Sequence, residues 1–266
     1  MIMILGLDGL EYNFVEKWDL RNLKQLEYGK LKVPIVEETG APTSPPVWAS
    51  FLTGKYITTL KLERSIIRTR VLDILKLLRR HANISLRLGS KVTSFKFPKL
   101  EEKTFLDYTN SMEINAPFYS FDHETYHVLQ SWTLKSLSLE GTIAALRVVY
   151  SKRKKQTLRE TEKLPNVDVV FAYMHFPDIL QHFLFPRPSK LKKLYLDLDH
   201  YVSILKKKLE NSTLFIIISD HGFDLETELH SSYGFYSSNM ELRPKPNDIT
   251  NFYHIILRQY QKIDFT

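Results

Sequence analysis

The sequence predicts an α/β fold built on a mostly parallel sheet. Three observations carry this expectation. Residues 2–7, 167–174 and 213–218 are short apolar runs with little polar alternation, as strands covered on both faces read. Stretches of helical periodicity lie between them. Each run stops at or just before a polar turn, where sites form in such sheets.

In chain order, the run 2–7 closes on Asp8-Gly9, as a central strand followed by a turn. Residues 20–26 carry a short helical pattern, and 33–36 a second strand pattern. Residues 40–46 form a proline-marked loop. A small apolar helix is expected over 47–52, ended by Thr53-Gly54. The pattern fades across 56–135, which reads as a cap or insertion within a single catalytic domain, 1–266. Inside it, 64–80 resembles a basic amphipathic helix, 85–97 a strand pair, and 118–127 is rich in aromatics and histidine. A helix is expected over 137–162, with the basic stretch Lys152-Arg153-Lys154-Lys155. Pro177 opens another, at a position where its missing N–H is not needed. In 189–209, Leu191, Leu194, Leu198, Val202, Leu205 and Leu209 recur at helical spacing. A last helix covers 249–260.

The 266 residues are 43% hydrophobic and 25% charged, ordinary for a globular protein. A net charge of +7 fits nucleic acid, an anionic membrane, an anionic substrate or simply a solvated Lys/Arg surface. The absence of cysteine excludes disulfides and thiolate metal sites. The first ten residues lack a basic leader and their apolar run is broken by Asp8, so a strand and a cytoplasmic location are expected. No stretch approaches the roughly 18–20 apolar residues of a membrane span.

Asp8 and Asp220-His221 sit directly after predicted strands. Asp178 and His182, four apart on a helix, share one face. A turn residue, a helix cap or a surface pair would look the same in isolation. His230 alone is uninformative. Ser44, with Thr43 as its competitor, precedes a helix whose N-terminus favours anions. Together, carboxylate, imidazole and hydroxyl can build a two-metal site for chemistry at phosphorus. Asp and His donors suit zinc, with manganese or iron as alternatives.

Five segments carry a family resemblance: ILGLDGL at 4–10, TSPPVWASFLTGK at 43–55, VVFAYMHFPDILQHFL at 169–184, ISDHGF at 218–223, and His230 with YGFYSSN at 233–239. In this order they resemble the type I phosphodiesterase/nucleotide pyrophosphatase branch of the alkaline phosphatase superfamily. The resemblance implies an alkaline phosphatase-like three-layer α/β/α sandwich with a small cap. It implies two divalent metal ions, one held by Asp8, Ser44, Asp220 and His221 and the other by Asp178, His182 and His230. It puts the nucleophile on Ser44, and implies a small phosphoric ester or nucleotide as substrate. Two positions depart from the family. Val47 stands where nucleotide-cleaving members have Asn, and Pro45 after the nucleophile has no N–H.

Within the superfamily, a phosphomonoesterase or phosphonate hydrolase shares these features. A sulfatase pattern lacks its arginine, replaced by Trp48. Trp48, Tyr119, Phe121 and Tyr126 can stack a base, although packing is the commoner use of aromatics. A basic polyanion or nucleic-acid binder is the competing class. Such a binder has no need of three Asp and three His near strand ends, and no base-reading motif is present.

Overall fold

The computed structural model describes residues 1–60, 100–120, 122–162, 167–227 and 229–264. The chain runs β1 (Ile2–Leu7), α1 (Tyr12–Lys17), α2 (Arg21–Lys24), β2 (Glu27–Lys32), α3 (Ser44–Thr53), a 3-10 turn (Phe105–Tyr108), β3 (Ser111–Ile114), α4 (His123–Thr133) and α5 (Leu139–Glu160). It continues β4 (Val169–Met174), α6 (Asp178–Leu184), α7 (Pro188–Lys208), β5 (Leu214–Ser219), β6 (Gly222–Asp224), β7 (Leu229–Ser231), β8 (Tyr233–Ser238) and α8 (Asn251–Asp264).

Among the described residues, six strands form the central sheet in the order β2-β8-β5-β1-β4-β3, and β6 and β7 pair separately. β1 is parallel to β4 and β5, and β3 is parallel to β4. The β2–β8 edge is antiparallel. Every residue of β1, β4 and β5 is buried, which explains why these strands read as continuous apolar runs. Their side chains still alternate. Met3, Leu5, Val170, Ala172, Phe215 and Ile217 face one core, completed by α5, α6 and α7. Ile2, Ile4, Phe171, Tyr173, Ile216 and Ile218 face the other, completed by α3 and α8. Helix, sheet and helix make the three expected layers.

Several local expectations change. The strand expected at 33–36 does not form; Val36 only bridges Ala41, and Pro34 offers no ladder donor. The extended segment is β2 instead, whose half-exposed EYGKLK hides its strand character. The helical pattern at 20–26 is a single turn. α3 starts at Ser44 rather than 47, because Pro45 and Pro46 fit a first turn. The turn at 105–108 and β3 fall inside the 56–135 stretch, yet Phe105 and Leu106 pack in the second core and β3 joins the sheet. The expected helix at 64–80 and strand pair at 85–97 lie outside the described residues. No described helix is long and apolar enough to cross a membrane.

Candidate active site

β1, β4 and β5 end side by side, and backbone hydrogen bonds tie the segments that follow. The Asp8 N–H donates to the Met174 carbonyl at 3.0 Å, and the Asp178 N–H donates to the Asp8 carbonyl at 2.9 Å. The Gly9 N–H donates to Asp220 Oδ1 at 3.2 Å. Gly9 has φ +71°, and a Cβ there would lie 2.6 Å from the Asp178 Cβ. Only glycine allows so close a crossing without strain.

Ser44 opens α3 and meets this crossing. Its hydroxyl donates to Asp8 Oδ1 at 3.2 Å and lies 3.3 Å from His221 Nε2. The same nitrogen is 3.4 Å from Asp8 Oδ1 and 3.3 Å from Asp220 Oδ2. Thr43 occupies the N-cap and makes no side-chain capping bond. A second group adjoins the first. Asp178 Oδ1 is 3.3 Å from His182 Nε2, one helical turn on, and 3.9 Å from His230 Nε2. The His221 and His230 rings stack with centroids 3.6 Å apart. All seven side chains singled out from the sequence therefore converge.

The donor set fits cation binding. His221 Nδ1 donates to the Gly222 carbonyl and His230 Nδ1 to the Pro42 carbonyl, each at 3.0 Å. Both rings thus turn Nε2 towards the carboxylates, the arrangement that prepares an imidazole for a metal. Asp220 Oδ2 and His182 Nε2 are buried without a hydrogen-bond partner. Ligand atoms of Asp8, Asp220 and His221 lie within 4.8 Å of one another, as do those of Asp178, His221 and His230.

The electrostatics agree. Burial, then the charge of Asp8, pushes the Asp220 carboxyl up to about 7. Burial opposes charge on His221, but Asp220 and Asp8 outweigh it and push the imidazole up to about 10. Burial and the neighbouring His221 push His230 down to about 3, leaving its Nε2 lone pair free. Burial opposes charge on Asp178 too, but His182 overcomes it and holds the carboxyl below the usual range. A bound cation would replace the His221 proton in balancing these acids.

A model of the type I phosphodiesterase / nucleotide pyrophosphatase family matches residues 2–235. The chain belongs to that family. No curated protein matches it. Among solved structures, this phosphodiesterase-family chain is similar to murine ectonucleotide pyrophosphatase / phosphodiesterase 5, with 15% identity and a TM-score of 0.43 over 83% of this chain and 57% of that one. The chain therefore spans little more than half of that relative. A second structure of the murine protein, inactive, holds AMP. A protein from Pyrococcus horikoshii shares 12% identity, with a TM-score of 0.48 over 98% of this chain and 96% of that one. A sulfatase from Pseudoalteromonas sp. shares 14%, with a TM-score of 0.47 over 100% and 68%.

Sequence reading missed the residues that hold the site together. The Tyr173 hydroxyl donates to Asp8 Oδ2. Ser219 Oγ donates to the His221 carbonyl and accepts from the Leu10 N–H, both at 2.8 Å. Gln181 Nε2 donates to the Gly9 carbonyl at 2.7 Å. The one available signal was a hydroxyl or amide inside a buried apolar element, which must find a partner. Trp48 is 1% exposed and packs edge-on against Phe51 and Tyr173, so it is core. Tyr119 bonds Thr104, and Phe121 lies outside the described residues.

Proposed function

We propose that the chain is a two-metal hydrolase of phosphoric esters, with Ser44 as its nucleophile and a phosphodiester or nucleotide pyrophosphate as substrate. The observation that carries this reading is the Ser44 hydroxyl, set against Asp8 and His221 in a buried acid–imidazole cluster. Family membership supports a phosphodiester- or nucleotide-type substrate. The chain is read as one catalytic domain with an insertion in the 56–135 stretch.

Asp8, Ser44, Asp220 and His221 would hold one divalent ion, and Asp178, His182 and His230 the other, zinc by donor type; the pair would lower the Ser44 pKa and neutralise charge on the phosphoryl oxygens. Ser44 Oγ forms a bond to phosphorus while the bond to the leaving oxygen breaks in line. In the resting protein the hydroxyl donates to Asp8 Oδ1, which fixes the oxygen beside the cluster. Water then cleaves the phosphoseryl ester and the serine hydroxyl is restored. The first turn of α3 contributes little. Pro45 and Pro46 have no N–H, and the Val47 N–H donates to the Thr43 carbonyl. The Val47 side chain is fully buried in the second core. The family's asparagine position is thus given over to packing, which favours a broad phosphoesterase over a strict nucleotide enzyme.

The test compares bis(4-nitrophenyl) phosphate with its monoester, with and without chelator, in wild type, Ser44→Ala and Thr43→Ala. Diester turnover should vanish with chelator and with Ser44→Ala, and persist in Thr43→Ala. A preference for the monoester would make the protein a phosphomonoesterase. Chelator-insensitive turnover sinks the two-metal mechanism.

A further inference from the structure

Glu11 lies outside the seven and takes no part in the chemistry above. It caps α1 and is 1% exposed. Its carboxylate accepts four hydrogen bonds from neutral donors in separate segments. Oε1 accepts from the Asn13 N–H at 2.8 Å and the Tyr233 hydroxyl at 2.7 Å. Oε2 accepts from the Phe223 N–H and the Ser231 hydroxyl, both at 2.8 Å.

Two of these donors lie on the β6–β7 hairpin. Gly222 pairs with Ser231 and Phe223 with His230 in that ladder. His221 immediately precedes Gly222, and His230 immediately precedes Ser231. Oε2 therefore grips the hairpin at the two rungs that carry His230 and adjoin His221. A Cβ on Gly222 would fall 2.0 Å from Oε2, so the glycine makes room for the carboxylate. The Glu11 main chain extends the grip. Its N–H donates to the Tyr195 hydroxyl at 3.0 Å, and that hydroxyl donates to Gln181 Oε1 at 2.9 Å, on the helix bearing Asp178 and His182.

We propose that Glu11 is a positioning residue, an anionic clamp that sets His221 and His230 for cation binding without touching cation or substrate. The inference rests on the metal-site reading above. An amide cannot replace the carboxylate. The Asn13 and Phe223 N–H groups are obligate donors, one on each oxygen, so a glutamine NH2 faces an N–H whichever way it turns.

The experiment uses chelator-treated protein titrated with Zn2+ alone. Stoichiometry and affinity are read by calorimetry, and the zinc-free form is melted in parallel. Wild type should take two ions. Glu11→Gln should keep its zinc-free melt within a few degrees and bind zinc about 10- to 100-fold more weakly, the usual scale for a group orienting a metal ligand. Ser231→Ala removes one of the four donors and should show a smaller loss; it carries the test if Glu11→Gln does not fold. Wild-type zinc affinity in both variants overturns the clamp while leaving the hydrolase reading intact. A melting loss with unchanged affinity does the same, because Glu11 would then be structural only. If wild type takes up no zinc, the hydrolase reading fails and the clamp falls with it.

Discussion

Asp220 shows what the site demands of a single residue. Its carboxyl is fully buried, its pKa is pushed up to about 7, and Oδ2 has no hydrogen-bond partner. A folded-state pKa above the ordinary 3.8 means the ionised acid opposes folding at every pH above that value. The His221 imidazolium beside it offsets only part of that cost, because the carboxyl stays raised in spite of it. Asp220→Asn keeps the Oδ1 acceptor for the Gly9 N–H and removes the buried negative charge. We expect the cation-free variant to be more stable than wild type by about 0.5–2 kcal/mol, with zinc uptake and turnover lost. Urea midpoints in chelator check this; a less stable variant contradicts it. Asp8, Asp220 and His221 were legible because they follow apolar runs, and Asp178 with His182 because of helical spacing. His230 had no local signature. Its place is evident only in the fold, where the β6–β7 pairing stacks its ring on His221 and sets its Nε2 3.9 Å from Asp178 Oδ1.

At the scale of elements, the buried Arg153–Asp122 pair joins α5 to the N-cap of α4 and faces His175 after β4. Arg153 Nη2 donates to Asp122 Oδ1 at 2.7 Å, and Asp122 Oδ2 lies 3.8 Å from His175 Nδ1. Burial opposes charge on Asp122, but His175 and Arg153 outweigh it and hold the carboxyl below the usual range. Removing the guanidinium leaves the buried Asp122 charge to His175 and Thr125 alone, so Arg153→Met should lose up to about 3–5 kcal/mol at neutral pH. The sign of the pH dependence follows. A depressed folded-state pKa stabilises above the ordinary 3.8, and the gain is lost as pH falls through the folded value. The gap between wild type and Arg153→Met should therefore narrow below about pH 4 in denaturant titrations. A gap that stays constant would mean the pair acts through packing alone. Helix α7 was readable from its apolar periodicity, and α5 and α8 were expected as helical stretches, whereas β2, β3 and β8 were not read as strands. β2 and β3 are edge strands, half-exposed or short, and β8, though interior and largely buried, is built of YGFYSS rather than an unbroken apolar run.

The whole molecule balances apolar cores on both faces of the sheet against a cluster of buried acids at one end. Cations that bind only the folded state stabilise it by mass action, by about 2.7 kcal/mol at a hundredfold excess over Kd. Melting of the zinc-loaded protein should occur several degrees above the chelator-treated form, and the gap should shrink in Asp220→Asn. Equal melting temperatures for wild type in both conditions would argue against cation binding. The α/β class, the three central strands and the residue types that close them follow from local pattern in the chain. Burial on both faces of a parallel sheet requires unbroken apolar runs, and those runs must stop at polar turns. Which of these residues meet is set by contacts between distant segments. Gly9 and Asp220 touch across 211 residues of chain, because β1 lies between β4 and β5. Strand order and hairpin register depend on long-range packing, and no local pattern encodes them.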